Sequence, residues 1–477
     1  MNAIGIDIGT RYARVARIDG RGTPELVELP GTVPGEGLPV PADAGAGREE
    51  ALRAVYCAYR RQHGTPDHLV VVVPQSGHLE HARRATAALA ELHGDGRAPH
   101  LRTLSTPRVV LALLRYAGTA PRGRVVVCDL GAAAAEVSLC VITAAAVAVA
   151  GTSRHAPAGG YGAGSDAALL AEAGLSDDGT GRAALAAARA EDGADQRLAL
   201  VLGRAEARPD RFDATAVHRA AGRDITAGTV RVALRRLTAG LDLALSEVPG
   251  GDAPAEGAPG HGPSGGTAAP DGAPTARPTG PGHTAARHLV AVGGTARFAP
   301  LVRHLTGGGW HLAPLPAGTD PALAAVFGAS LVASGRIDPA DRYPYAVCVG
   351  AHRTVAGRPE GQELVISEAG HLEPGGETVY AHAAGQRLRV RTGPAGAAVG
   401  RPVQVRVRDP ERGVSAPVRT LALPGGAEED RFHVGVRLAV DGTARLVLHP
   451  LAPGAPTEFP LGDLPTDLGT DPKGEPS

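Results

Sequence analysis

Two aspartates stand in the same local pattern, and the pattern suits phosphate chemistry. Asp7 lies in Ile4-Gly-Ile-Asp7-Ile-Gly9-Thr10, and Asp129 lies in Val125-Val-Val-Cys-Asp129-Leu-Gly131. Each is an apolar run rich in β-branched residues, then Asp, one apolar residue and a glycine turn. Backbone N–H groups of such a turn can cradle an anion. A carboxylate beside it can face a hard divalent cation. A third segment comes late, Leu289-Val-Ala-Val-Gly293-Gly294-Thr-Ala-Arg297, and its paired glycines allow a close backbone approach to a ligand. Glu136, in the strand after Asp129, adds a further carboxylate. One Asp-x-Gly-Thr by itself is common in strand-turn-strand units. The weight lies in three such segments, in order and at domain-scale separation.

The elements that must carry these residues can be read from periodicity. Residues 4–8 and 12–18 read as strands around Gly9-Thr10, and a Pro/Gly-rich connection follows over 23–47. Helical spacing places Leu52, Val55, Tyr56 and Tyr59 on one face of a helix over 49–61. His68–Val73 reads as a buried strand ended by Pro74, followed by a helix over 77–93 and another after Pro107. Strands over 124–129 and 135–142 flank Gly131. Gly159-Gly160 opens a loop before a helix around 166–173. The clearest helix is 226–247, with Thr226 as its cap and Val230, Leu234, Leu237, Leu241 and Leu245 in register. From 249 to 287 the chain has no Val, Ile, Leu or aromatic residue, so it is expected to form a disordered insertion. After Gly294 come a helix, a loop and a helix over 321–334.

Past about 340 the helical period disappears. Short alternating segments replace it over 344–349, 363–367, 387–392, 403–408, 417–423, 431–440 and 443–449. Asp441-Gly442 between the last two is a strong two-residue hairpin signal. The end of the chain, from about 460, reads as loose.

Bulk properties narrow the function. The chain has 477 residues with a formal net charge of -1, which gives no electrostatic case for nucleic acid or an anionic membrane. The single lysine is Lys473, and arginine carries nearly all the positive charge, the mark of a high-GC genome. Cys57, Cys128, Cys140 and Cys348 form no C-x-x-C pair and read as free thiols of a reducing compartment. No leader or bilayer-spanning run is recognisable, so a cytoplasmic location is expected. There is no G-x-x-x-x-G-K-[ST], no H-E-x-x-H and no G-x-S-x-G, and Gly159 to Gly164 lacks dinucleotide spacing. The Arg60-Arg61 and Arg235-Arg236 pairs read as solvated helix faces.

Taken together, the three glycine segments resemble those with which actin-like ATPases hold ATP, and the chain resembles the 70-kDa heat-shock chaperones of the DnaK type. Gly5-Ile-Asp7-Ile-Gly9-Thr10-Arg11-Tyr12 is similar to that family's first phosphate loop, and Cys128-Asp129-Leu-Gly131 to its second. Val70–Pro74 with the following helix, Leu101–Pro107, and Gly159-Gly160 with Asp166 fall where the family has corresponding segments. Val292–Arg297 is similar to its adenosine motif, and Asp320-Pro321 through Phe327-Gly328-Ala329 to the helix after it. Even the segment around Asp441-Gly-Thr-Ala-Arg-Leu446 is similar to a hairpin of the family's peptide-binding sandwich.

The resemblance implies an α/β fold: a two-lobed actin-like ATPase (ribonuclease H-like) domain over 1–336, then a small antiparallel β-sandwich over 343–450 and a flexible tail over 451–477. The lobes would divide near 150. ATP and Mg²⁺ are the implied cofactors. Asp7 and Asp129 would face the metal and, with Glu136, form the catalytic set. Gly9, Thr10, Arg11, Gly131, Gly159 and Gly160 would meet phosphates, and Gly293, Gly294, Arg297 and Asp320 the adenosine side. Extended polypeptide and co-chaperones are the implied partners.

The departures bear on turnover. Where the family has Asp-x-Gly-Gly-Gly-Thr, this chain has Asp129-Leu-Gly131-Ala132-Ala133-Ala134. Thr106 replaces a carboxylate before the Pro, Arg11 replaces a Thr, and the one lysine is in the tail. Phosphoryl transfer depends on positioning and charge stabilisation, so ATP binding with slow or absent hydrolysis is expected. The linker Arg336–Arg342 offers only Ile337 for docking. Two other readings stay open: a pseudo-ATPase scaffold for protein contacts, and a sugar or acid kinase of the same superfamily.

Overall fold

The computed structural model describes residues 2–40, 47–93, 98–142, 146–189, 191, 193–248, 288–339, 342–355, 358–373, 376–383, 385–392, 399–410, 413–424, 431–439, 443–465 and 468. The expected insertion over 249–287 and the Asp441-Gly442 turn lie outside them. The fold is mixed α/β.

The first sheet is built from β1 (Ala3–Ile8), β2 (Tyr12–Ile18), β3 (Pro24–Leu26), β4 (Leu38–Pro39), β5 (His68–Val73) and β6 (His100–Ser105). Its order is β3-β2-β1-β5-β6, with β4 on β2; β1-β2-β3 is an antiparallel meander, and β5 and β6 add parallel. Helices α1 (Arg48–His63), α2 (His78–Ala90) and α3 (Thr106–Tyr116) come from this stretch. The second sheet uses β7 (Gly123–Leu130), β8 (Ala135–Ile142) and β9 (Val147–His155). After it come α4 (Tyr161–Glu172), α5 (Gly179–Arg189), α6 (Ala194–Ala207), α7 (Pro209–Phe212), the hairpin β10 (Ala216–Ala220) and β11 (Arg223–Thr226), and α8 (Ala227–Glu247). Strands β12 (His288–Val292) and β13 (His311–Leu312) complete the sheet in the order β13-β12-β7-β8-β9, with α9 (Ala299–Gly307) and α10 (Ala324–Ala333) following β12. The two sheets share one plan, an antiparallel three-strand meander followed by two parallel strands.

That second sheet begins at Gly123, and β9 runs across the lobe boundary expected near 150. Strands β6 and β9 and helices α5 and α6 add to the elements expected from periodicity. The Ala-rich runs of α5 and α6 give a weak apolar stripe, and the alternation in β6 is interrupted by Arg102.

Strand alternation decides where the carboxylates go. In β1, Ile4, Ile6 and Ile8 pack with Leu52, Tyr56 and Tyr59 of α1. In β7, Val126, Cys128 and Leu130 pack with Leu237 and Leu241 of α8. The opposite faces of both sheets share a third cluster, in which Val70, Val72, Val125, Val127, Val290 and Val292 meet α3 and α10. Asp7 and Asp129 sit on those opposite, mutually facing sides. Close packing there demands glycine: a Cβ on Gly5 would lie 2.6 Å from the Ser330 backbone nitrogen of α10, and one on Gly328 would enter the Val109 carbonyl of α3.

Among the described residues, the regular elements of the C-terminal part are all strands. One antiparallel sheet orders Arg358–Ser367, Ala346–Val355, Val399–Arg408 and Ser415–Pro424; a second orders Val379–Tyr380, Phe432–Leu438, Thr443–Pro450 and Thr457–Asp463. Val347, Val405, Val436, Leu446 and Leu448 from both sheets join one buried cluster. Phe432–Leu438 and Thr443–Pro450 pair as expected, with Leu438 opposite Ala444. Thr457–Asp463 and the buried Leu464 and Leu468 extend this unit into the stretch read as a flexible tail.

Candidate functional site at the facing glycine hairpins

The β1–β2 and β7–β8 hairpins close in the same way. The Gly9 N–H donates to the Tyr12 carbonyl and the Gly131 N–H to the Ala134 carbonyl, both at 2.9 Å. These two amides are therefore spent on the turn itself. The second hairpin is also tied to α4. The Tyr161, Gly162 and Ala163 amides donate to the carbonyls of Ala133 (3.1 Å), Gly131 (3.3 Å) and Ala132 (3.0 Å). Because a trans peptide holds its N–H opposite its C=O, the amides of Ala132, Ala133 and Ala134 turn away from α4. Ala221 is the only non-glycine with positive φ among the described residues, so these alanines adopt the turn without left-handed strain.

Three distant glycine segments meet here. A Cβ on Gly293 (φ +91°) would lie 2.5 Å from the Leu130 carbonyl oxygen and 2.8 Å from Asp129 Oδ1. One on Gly160 (φ +85°) would lie 2.7 Å from the Ala132 carbonyl oxygen, and one on Gly162 would enter Thr295 Oγ1. Thr295 Oγ1 in turn donates to the Gly131 carbonyl at 3.1 Å. Gly159 also has positive φ (+82°), whereas Gly294 has open space around its Cβ direction and Thr10 is exposed at the first turn.

The carboxylates form rows across the sheets. Asp7 is paired in register with Arg14, Asp129 with Glu136, and Glu136 with Arg154. Burial pushes the Asp129 carboxyl up to about 7, reinforced by Glu136 and Asp7 and opposed by a Thr106 hydrogen bond and by Arg48. Burial also raises Asp7 above the usual carboxylate range, against the pull of Arg14 and Arg48. Both oxygens of Glu136 are engaged: it accepts from the Gln75 N–H (2.7 Å), the Ser76 N–H (3.0 Å) and Ser76 Oγ. Glu136 thus ties the segment after β5 to β8, a holding role alongside the catalytic one expected of it.

Arg48 is the group that motif reading missed. Burial lowers its guanidinium pKa, while Asp7, Asp129 and Glu136 favour its charge. It is the first residue of α1, followed by Glu49 and Glu50. A cation at a helix N-terminus opposes the macrodipole, so an Arg there signals an attraction from outside the helix.

The third segment is joined to the first by ion pairs. Arg14 Nη1 lies 3.7 Å from Asp7, and its Nε donates to the Glu36 carbonyl at 2.8 Å. The Glu36 carboxylate pairs with Arg297, whose Nε and Nη2 also bond Asp320 at 2.9 and 2.7 Å. Arg297 and Asp320 line a cleft of about 600 Å³ with Ala296, Gly318, Thr319 and Pro321. On the other side, Arg11 Nη1 bonds Asp166 of α4 at 2.5 Å. Of the expected site residues, the structure gathers Asp7, Asp129, Glu136, Gly131, Gly160 and Gly293 around the second hairpin. It places Arg11 on Asp166 and pairs Arg297 with Asp320.

Among the described residues no three of His, Cys, Asp or Glu stand together as a metal cage. None of the described helices is long and apolar enough to cross a membrane. All four cysteines are free, with Cys128, Cys140 and Cys348 buried. No protein-family model matches the chain, and no curated protein matches it.

Proposed function

We propose that this chain is a divergent, cytoplasmic heat-shock-70-like chaperone protein of actin-like ATPase fold. It binds ATP with Mg²⁺, hydrolyses it slowly or not at all, and holds extended polypeptide on its C-terminal strands, which read as a β-sandwich. The observation that carries the nucleotide reading is the convergence of the Gly160 and Gly293 segments on the Asp129 hairpin, with Asp7 and Asp129 on facing sheet surfaces. Support for the fold comes from the shared plan of the two sheets.

The residues present fit the group. Mg²⁺ is usually held by one or two carboxylates together with water and phosphate oxygens, and Asp7 and Asp129 would supply the two. A cation would also favour the ionised form of Asp129, which burial and like charge oppose. The turned-out amides of Ala132–Ala134 would cradle phosphate, and the cleft beside Arg297 and Asp320 would take the adenosine. When bound, the metal would supply charge neutralisation. The chain's own residues explain the weak turnover. Thr106 stands where a base is expected and spends its side chain on Asp129, and the methyls of Ala132–Ala134 narrow the approach.

Calorimetric titration with ATP and Mg²⁺, for wild type and Asp7→Ala, tests this reading. Binding that the substitution abolishes is expected; no binding by wild type at millimolar ATP refutes it. That second outcome would leave the scaffold reading, which the Arg11–Asp166 and Arg297–Glu36 pairs favour because they tie the first hairpin to α4, and the Gly293 segment to the connection between β3 and β4, without a ligand.

A further inference from the structure

Asp166 on α4 is shared by two guanidinium groups. Its Oδ2 accepts a hydrogen bond from Arg11 Nη1 of the first hairpin at 2.5 Å, and its Oδ1 forms an ion pair with Arg189 Nη1 of α5 at 2.9 Å. Two positive charges on one carboxylate leave a local excess of one. Arg189 is held further by stacking, with its guanidinium carbon 5.7 Å from the Phe298 ring centroid, just past the third glycine segment. The cluster therefore touches the first hairpin, α4, α5 and the end of the Gly293 segment.

Both arginines also keep a donor in reserve. Arg11 Nη2 and Arg189 Nε are each shielded from solvent, and neither has a hydrogen-bond partner among the described residues. A buried donor left unmet costs about 1–3 kcal/mol. Two of them, on fixed guanidinium planes with surplus positive charge, match an acceptor-rich anion, and phosphate is the group for which arginine forks are best suited.

We infer that Arg11 and Arg189, oriented by Asp166, form a phosphate-binding site that takes the terminal phosphate of a polyphosphate ligand. The inference rests on the nucleotide reading only for what carries that phosphate. Asp166 is a positioning residue: it fixes both guanidinium planes and leaves one nitrogen of each for the ligand.

The test is calorimetry with three probes, tripolyphosphate, Mg²⁺-ATP and adenosine, on wild type, Arg11→Ala, Arg11→Lys, Arg189→Ala and Asp166→Ala. Arg235→Ala, an exposed arginine of α8, controls for net charge. The expected result is at least a tenfold loss of tripolyphosphate and ATP affinity in both arginine-to-alanine variants, with adenosine binding and the control unchanged. Arg11→Lys keeps the charge but loses the fork, and is expected to retain only part of the affinity. If Arg11→Ala fails to fold, as judged by its melting curve, the lysine variant carries the same comparison. Asp166→Ala is expected to weaken both polyphosphates several-fold. Unchanged affinities in the arginine variants, or no tripolyphosphate binding by wild type, would overturn the inference. Arginine-dependent tripolyphosphate binding without adenosine binding, and with ATP no tighter, would keep it while overturning the nucleotide reading.

Discussion

Replacing Asp129 with Asn, in metal-free protein, should stabilise the fold in a pH-dependent way. Asp129 is raised from 3.8 to about 7 by burial and by the neighbouring Glu136 and Asp7. The unfolded chain sheds this proton near pH 4, whereas the folded chain keeps it until near pH 7. Between those limits the folded state binds more protons, so the contribution of Asp129 to stability falls as pH rises. It is fully present below about pH 4 and lost above about pH 7. A shift of about three units is worth ~4 kcal/mol at ~1.4 kcal/mol per unit. The Asn side chain does not titrate and can still accept from Thr106. Urea denaturation of wild type and Asp129→Asn at several pH values from 4 to 8 measures the difference. The two should be close at pH 4, and the variant should gain by up to about 4 kcal/mol at pH 8. A pH-independent difference, or a variant that loses ground as pH rises, would refute burial of the Asp129 carboxylate, reinforced by Glu136 and Asp7, as the cause.

The glycines make a paired prediction. Gly162→Ala, whose Cβ would enter Thr295 Oγ1, should cost about 1–3 kcal/mol, while Gly294→Ala, with open space around it, should leave the melting temperature near wild type. Arg48→Ala should destabilise the metal-free protein more at pH 8 than at pH 5, because more of the carboxylate charge it balances is then ionised; equal losses at both pH values in urea titrations would count against it. In the C-terminal sheets Leu446, fully buried in the shared cluster, should cost about 2–5 kcal/mol when truncated to Ala, seen as a shifted denaturation midpoint.

Much of the fold and of the candidate site was legible in the chain order of residues. Alternation in 4–8 and 124–129 marks strands in which Asp7 points opposite to Ile6 and Ile8, and Asp129 opposite to Cys128 and Leu130, because side chains of a strand alternate by geometry. Thr226 caps the longest helix as its residue type demands, accepting from the Thr229 N–H. The glycine turns announce close approach, and Gly160, Gly162 and Gly293 are packed against backbone or polar side-chain atoms that leave no room for a Cβ. Polar or alanine-rich elements were harder to read: β6, α5 and α6 carry weak patterns because their burial is set by neighbours rather than by their own periodicity.

What only the tertiary structure decided is the electrostatics. Nothing in the spacing of Arg48, Asp7, Asp129 and Glu136 along the chain places them together; that follows from two sheets facing each other across α3 and α10. Nor could the chain order reveal that both oxygens of Glu136 are spent on the Gln75 and Ser76 segment, or that Asp166 lies between Arg11 and Arg189. Local sequence determines which way each side chain leaves its strand or helix. Long-range packing determines which charges share a low-dielectric space, and the energies of burial and pairing exist only once that space is closed.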